Sequence, residues 1–306
     1  MKRFLILVIL VLTLSLTLFG CGKKKEALPT GYPVEFNGVT VEKKPQRVVS
    51  LSKSVTEKLV VLGYKNSIVG DGGSFAEPNF PKLEEISALS PEMVISGGEL
   101  SPDFKGKLAD MGIKTLVIPY TEDKEELYRL WGGLARIFEG SITGELRERQ
   151  LRYFGESYDK YLNEAAIDGI AKKYTVAAPR VLVATYKDFA ATPDTLTGAW
   201  LNDMGFLNAA LNASGWYAPL KDMEAPDILF YPLGQEDLFA NLGAEKKIPY
   251  DINYLENQSP MMFVCRYDML AAAFPEEKFK APDCIMPLPV PSPPPLKWYE
   301  KILAKF

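Results

Sequence analysis

The sequence predicts an α/β protein: two α/β lobes with central parallel sheets, joined by a long α-helix. Three observations carry this. Short β-branched runs alternate with helical spacing over residues 48–118, and alternation of this kind builds parallel sheets covered by helices. A stretch without strand signal then follows, from Glu125 to about Tyr174, with apolar residues at helical spacing. Strand and helix patterns resume at Arg180.

The elements follow in order. Val34-Glu35-Phe36-Asn37-Gly38-Val39-Thr40-Val41 alternates around Asn-Gly, the signal of a two-residue hairpin. Val48–Leu51 reads as a buried strand, Ser52-Lys53-Ser54 as a loop, and Val55–Leu62 as a helix capped by Ser54 or Thr56 and stopped by Gly63. Ser67–Gly70 is a second strand, followed by the loop Asp71–Phe75. Leu83–Leu89 is a helix, and Glu92–Ser96 a third strand ending in Gly97-Gly98-Glu99. Phe104–Met111 is a helix, and Lys114–Ile118 a fourth strand. In the central stretch, Leu127, Leu130, Trp131, Leu134 and Ile137 share one face. Leu146, Leu151, Phe154, Tyr158 and Leu162 recur beyond Gly140–Gly144, predicting a short helix and then a long one. Arg180–Ala184 and Asp227–Tyr231 are strands, Thr197–Met204 a helix, and Ser259–Phe274 a closing helix. The organisation expected is a leader over 1–20, a tether over 21–32, a first lobe over 33–123, a helical connector over 124–174, a second lobe over 175–280 and a Pro-rich tail over 281–306.

Composition narrows function. Hydrophobic residues are 47% and charged residues 24%, as in an ordinary globular protein, and the net charge of −4 is interspersed, with no basic patch to meet nucleic acid. The chain has no His, which removes the Ser-His-Asp triad, His-based zinc sites and the commonest general base. A binding protein rather than an enzyme is expected, with no cofactor. Besides Cys21 there are Cys265 and Cys284, which can pair in an oxidising compartment or stay as two buried thiols.

Met1-Lys2-Arg3 precedes an apolar run from Phe4 to Leu18, the pattern of a secretory signal. Those 15 residues are fewer than the roughly 20 that span a bilayer. Leu18-Phe19-Gly20-Cys21 resembles the bacterial lipobox, which implies lipidation of Cys21, cleavage before it and attachment to the extracytoplasmic face of the cell membrane. Loss of the first 20 of 306 residues would leave 286, enough for two domains.

Pro45-Gln46-Arg47-Val48-Val49-Ser50-Leu51-Ser52 with Thr56-Glu57 and Leu62-Gly63, the segment Leu83–Ile95 with its Leu-Glu pair and Pro91, and Met111-Gly112-Ile113 carry a wider resemblance. Leu196–Asn208, Ala225-Pro226-Asp227-Ile228 and Ser259–Phe279 extend it more loosely. Over about residues 45 to 280 the chain resembles the solute-binding proteins of ABC importers for iron-siderophores, haem and cobalamin. The resemblance implies a ligand cleft between the lobes, a metal chelate or corrinoid as ligand, and a permease with its ATPase as partners. A sensor or assembly lipoprotein on the same fold is the first alternative, and a carboxylate-based extracytoplasmic enzyme the second.

Ligands of open α/β sheets meet the loops at the carboxyl ends of strands. The cleft candidates are therefore Lys53, Ser54, Ser74, Phe75, Gly97, Gly98, Glu99 and Tyr120 in the first lobe. In the second they are Tyr186, Lys187, Asp188, Phe189, Leu233, Gly234 and Gln235, with Trp200 added for its flat apolar area. Trp216-Tyr217 fits either rim or core. Glu84, the acid of the Leu-Glu pair, is implied by the resemblance to dock on the permease. Eight residues before Glu92 stands Glu84, but eight before Asp227 stands Pro219, so the second-lobe counterpart is missing at that spacing, with Asp222 and Glu224 nearby. The tail from Pro282 to Pro295 holds seven prolines and cannot be a regular helix or a central strand. Leu296–Phe306 beyond it reads as a short amphipathic helix. A strap on the protein's own surface, or an arm toward a partner or membrane, would use it.

Overall fold

Val48–Ser50 (β3), Ile68–Gly70 (β4), Met93–Ser96 (β5) and Lys114–Val117 (β6) form one sheet in the order β4-β3-β5-β6, every pair parallel, in the computed structural model of the chain. The structure describes residues 31–74, 81–173, 177–185 and 188–284. Ahead of the sheet, Val34–Phe36 (β1) and Val39–Val41 (β2) make the expected antiparallel hairpin, with Asn37 and Gly38 both at positive φ. The strands are short apolar runs because both faces are covered. Val48, Met93, Ile95 and Leu116 pack into the main core. Val49 and Val94 turn the other way, onto Ile86 and Leu108 of helices α2 (Leu83–Ala88) and α3 (Pro102–Asp110).

Helix α1 spans Lys53–Val61 and its cap is Ser52, whose Oγ accepts from the Val55 amide at 3.2 Å. Ser54 and Thr56, the caps expected from sequence, lie inside the helix, as does Lys53. The capping oxygen has to precede the first helical residue by one position, and Ser52 alone has the extended backbone for it (φ −139°, ψ 147°).

Helix α4 (Lys124–Glu139) ends at Gly140, φ +83°, and the 33-residue helix α5 follows at once (Ser141–Lys173). At 1.5 Å per residue α5 is about 50 Å long. The α4 stripe Leu127, Leu130, Trp131, Leu134 and Ile137 is wholly buried, as are Leu151, Phe154, Tyr158 and Leu162 of α5. Leu146, expected on that face, is 57% exposed instead. It stands five residues before Leu151, outside the three- or four-residue spacing that keeps helical side chains together. The two helices cross closely at Gly144, where a Cβ would lie 2.4 Å from the Arg136 Cα.

The second sheet takes Arg180–Val183 (β7), Leu207–Asn208 (β9), Ile228–Pro232 (β11) and Lys246–Tyr250 (β12), in the order β12-β11-β7-β9, again all parallel. Sequence patterning did not reveal β9 or β12. A two-residue strand has no period to read, and β12 contains Pro249, which lacks a donor and is tolerated because β12 is an edge strand. Helices α6 (Leu196–Asp203) and α8 (Met261–Ala273) supply Leu201, Met269 and Leu270 to the core that holds Val181, Val183 and Phe230 on one face of the sheet. The other face, Leu182, Leu229 and Tyr231, is covered by Ala190, Ala210, Leu220 and Phe239 from short strands and single turns rather than by helices. Antiparallel β8 (Phe189–Ala191) and β10 (Tyr217–Pro219) belong to this cover. Cys265 and Cys284 are both free thiols. No helix among the described residues is long and apolar enough to cross a membrane. The leader, Cys21 and the tail beyond Cys284 lie outside the described residues.

Candidate functional site

The carboxyl ends of β3 and β6 meet the segment that follows β12. Short helix α7 (Ile252–Glu256) carries that segment, and its first turn is capped by Asp251. Two polar clusters cross between the lobes here.

The first is built on α1. Lys53 Nζ donates to Asn253 Oδ1 at 2.5 Å, and Ser54 Oγ donates to the Asn257 carbonyl at 3.1 Å. Lys58 is fully buried and donates to both Ser54 Oγ (2.6 Å) and the Asn257 carbonyl (2.7 Å). Burial brings its pKa down to about 7, against a smaller upward pull from Glu57. Burial, with Asp251 beside it, raises the Glu57 carboxyl to about 7, and its Oε1 has no hydrogen-bond partner.

The second cluster is built on Tyr120, three residues past β6. Its hydroxyl lies 3.0 Å from the Tyr217 hydroxyl and donates to Glu122 Oε1 at 2.7 Å. The Tyr217 hydroxyl in turn donates to Glu256 Oε2 at 2.9 Å, and the other Glu122 oxygen accepts from the Leu196 amide at the start of α6. Burial raises the Glu256 carboxyl to about 7, and the charge on Glu122 adds to this. Both tyrosines are pushed well above their ordinary value, first by burial and then by these acids. The Trp216 ring, half exposed, lies 5.8 Å from the Tyr120 ring. Between the clusters, Gln258 brackets Thr121 through its amide: Oε1 accepts from the Thr121 amide at 3.1 Å and Nε2 donates to the Thr121 carbonyl. Its own carbonyl accepts from Trp131 Nε1 at 2.9 Å.

The expected residues divide accordingly. Lys53, Ser54 and Tyr120 sit in the seam, and Tyr217 with Trp216 joins them, which places that pair at the interlobe contact. Gly97 has no room for a side chain, since a Cβ there would lie 2.6 Å from Ser52 Oγ. The Gly98 amide is held by Ser96 Oγ, and Glu99 pairs with Lys105 inside the first lobe. Ser74 turns to Asp71. Asp188 gives its carbonyl to the Leu220 amide. Phe189, Leu233 and Leu238 are exposed apolar side chains on the second lobe, and Gln235 Oε1 is buried without a partner. Trp200, 3% exposed, lies on the Arg266 guanidinium, 5.4 Å from the ring centre, and lines a pocket together with Glu122 of the second cluster. Phe75, Tyr186 and Lys187 lie outside the described residues. Glu84 stands exposed in the first turn of α2.

Sequence reasoning missed Glu122, Glu256, Asn253, Asn257, Gln258, Glu57 and Lys58. A five-residue helix gives no periodic signal, and the α1 residues look like ordinary helix polar positions until the second lobe covers them. Among the described residues no group of three or more metal-type side chains comes together.

No family profile matches the sequence. A cobalamin-binding protein of Halobacterium salinarum is 23% identical over 233 residues, which are 67% of this chain and 59% of the relative, so the chain spans about three fifths of that relative's length. Solved structures of the same fold include the periplasmic heme-binding protein RhuT of Roseiflexus sp. RS-1 (TM-score 0.53, 19% identity, 76% of this chain and 98% of that one). A periplasmic heme-binding protein of Pseudomonas aeruginosa is similar as well (0.56, 19%, 78% and 95%). The vitamin B12-binding protein BtuF of Vibrio cholerae gives 0.50, 13%, 76% and 98%. At these identities the likeness establishes the fold, the two-lobed α/β architecture of periplasmic binding proteins.

Proposed function

We propose that this chain is an extracytoplasmic solute-binding protein of an ABC importer, which takes a haem, corrinoid or ferric-siderophore ligand between its lobes and delivers it to a permease and its ATPase. The observation that carries the reading is the seam itself. The lobes meet there through polar side chains on strand-end segments, Tyr120 to Tyr217 and Lys53 to Asn253, beside a continuous apolar core. Such contacts exchange readily for water or for ligand, because a net hydrogen bond is worth only about 1 kcal/mol. The half-exposed Trp216 beside Tyr120, with exposed Phe189 and Leu233 on the same lobe, offers flat apolar area of the kind a macrocycle covers. The ligand chemistry is also that of the proteins sharing the fold. In this reading Cys21 carries the lipid anchor, and Glu84 on α2 docks with the permease.

The test is titration of the chain with hemin, cyanocobalamin and a ferric siderophore, read by intrinsic fluorescence and by melting temperature. One class should quench Trp216 and raise the melting temperature, and Trp216→Ala should weaken that response. If none of the three classes changes either signal, the transport reading fails. Glu84→Arg should keep binding and lose uptake, and Cys21→Ala should release the protein from the membrane with binding intact.

A sensor or assembly role on the same fold has one observation in its favour. Glu224, an acid near the place where a second docking residue is expected, is engaged by Arg180 at 2.6 Å. Normal uptake alongside lost signalling in a deletion strain would reverse the preference.

A further inference from the structure

The connector helix α5 carries three large apolar side chains in the open: Ile142 (61% exposed), Leu146 (57%) and Tyr153 (67%). At about 100° per residue they fall within roughly 40° of one another, along roughly 16 Å of helix. The far side of the helix is fully packed through Phe154, Tyr158 and Leu162. Among the described residues nothing covers the stripe; exposed Arg149 stands within it, and exposed Glu145 and Glu156, the latter 3.7 Å from Arg152, border it.

The chain leaves the described residues beside the same helix. The Phe279 carbonyl accepts from the Tyr267 hydroxyl at 2.9 Å, the Tyr267 ring lies 6.4 Å from that of Tyr158, and Cys284 packs on the same core. Twenty-two residues follow it. Residues 285–295 include six prolines and, extended, reach about 34 Å. The distance from Tyr158 back to Ile142 is about 24 Å of helix, so that spacer passes around α5 with length to spare. Read from their spacing as a helix, residues 296–306 would put Leu296, Trp298, Tyr299, Ile302, Leu303 and Phe306 on one side and Lys297, Lys301 and Lys305 on the other. Eleven helical residues span about 16 Å, the length of the stripe. At the other end of the described chain, the Gly31 carbonyl accepts from the Ser141 amide, and Ala27, Leu28 and Pro29 precede it in sequence.

We propose that residues 296–306 dock on the Ile142–Leu146–Tyr153 face of the connector helix, as an intramolecular strap whose lysines lie toward Glu145 and Glu156. The lobe-joining helix is then buried on both sides.

Trypsin cleavage at Lys297 and Lys301, followed by mass spectrometry on the full chain, tests this, because the cleavage rate follows the fraction of time the tail is released. The double variant Ile142→Asp/Leu146→Asp should lose its C-terminal peptides at least about tenfold faster than the native chain. So should Ile302→Asp/Phe306→Asp, whose changes lie outside the described residues. Equal rates in native and variant chains overturn the proposal. It is overturned equally if the tail is protected only when vesicles of phosphatidylglycerol and phosphatidylethanolamine are added, which assigns it to a lipid surface. A dimer that becomes monomeric in the Ile142/Leu146 variant with tail cleavage unchanged assigns the stripe to a second copy instead.

Discussion

Glu256→Gln should stabilise the protein, and do so more strongly as the pH rises. The carboxyl of Glu256 has its pKa raised from 4.5 to about 7, first by burial and then by the charge on Glu122, against the hydrogen bond from Tyr217. The folded state therefore holds a proton that the unfolded state gives up between pH 4.5 and 7. Stability falls as the pH rises through that window and levels off above it. Integrated with these two values, the penalty is about 1 kcal/mol at pH 5 and about 3 kcal/mol at pH 8. Gln removes the charge and keeps an oxygen to accept from the Tyr217 hydroxyl at 2.9 Å. The variant's gain at pH 8 should exceed its gain at pH 5 by about 2 kcal/mol, or about 4–8 °C in melting temperature for a chain of this size. Thermal unfolding of both chains at the two pH values measures it. A gain that is independent of pH, or larger at pH 5, would refute the argument that burial in the seam holds this acid protonated.

Three other outcomes follow from the geometry. Ser52→Ala removes the Oγ that accepts from Val55 and should cost about 1 kcal/mol, seen as a lower urea midpoint with an unchanged slope. Gly144→Ala pushes a Cβ to 2.4 Å from the Arg136 backbone at the α4–α5 crossing and should cost at least about 2 kcal/mol, measured by the same denaturation. Trp131→Phe leaves the buried Gln258 carbonyl without its donor. It should cost about 2 kcal/mol and accelerate hydrogen exchange at the Thr121 amide, which Gln258 holds through its side chain.

The polar seam makes the direction of any closure energy plain. Lys58 and Glu57 are adjacent in sequence, the first buried and the second partly so, and both are shifted toward neutrality near pH 7. Opening the lobes rehydrates both groups, so the cost of burying them opposes closure, and the hydrogen bonds to Ser54 and Asn257 offset part of it. Under the proposed function, a ligand that replaced those contacts would need to supply only the difference.

The two parallel sheets and the helical connector were legible in the sequence because each is a local pattern. Val48-Val49, Met93-Val94-Ile95 and Val181-Leu182-Val183 are short, mostly β-branched apolar runs that suit a doubly covered strand, and Leu127 to Ile137 repeat at the helical period. Those periods depend on nearest neighbours along the chain, and the packing simply uses them. Tyr120 as a candidate was legible for a similar reason, since the end of a strand is a local position. The rest was decided by tertiary structure. Trp200 and Trp216 are the same residue type sixteen positions apart, yet one lies on Arg266 in the interior and the other lies open beside Tyr120. Glu256 and Lys58 acquire their shifted protonation only when segments 199 residues apart in sequence, Lys58 and Asn257 among them, close on each other. Hydrophobic periodicity records which side of an element faces inward. Whether that inward side meets a sheet, a second lobe or a ligand depends on contacts far apart in sequence, and no local pattern encodes them.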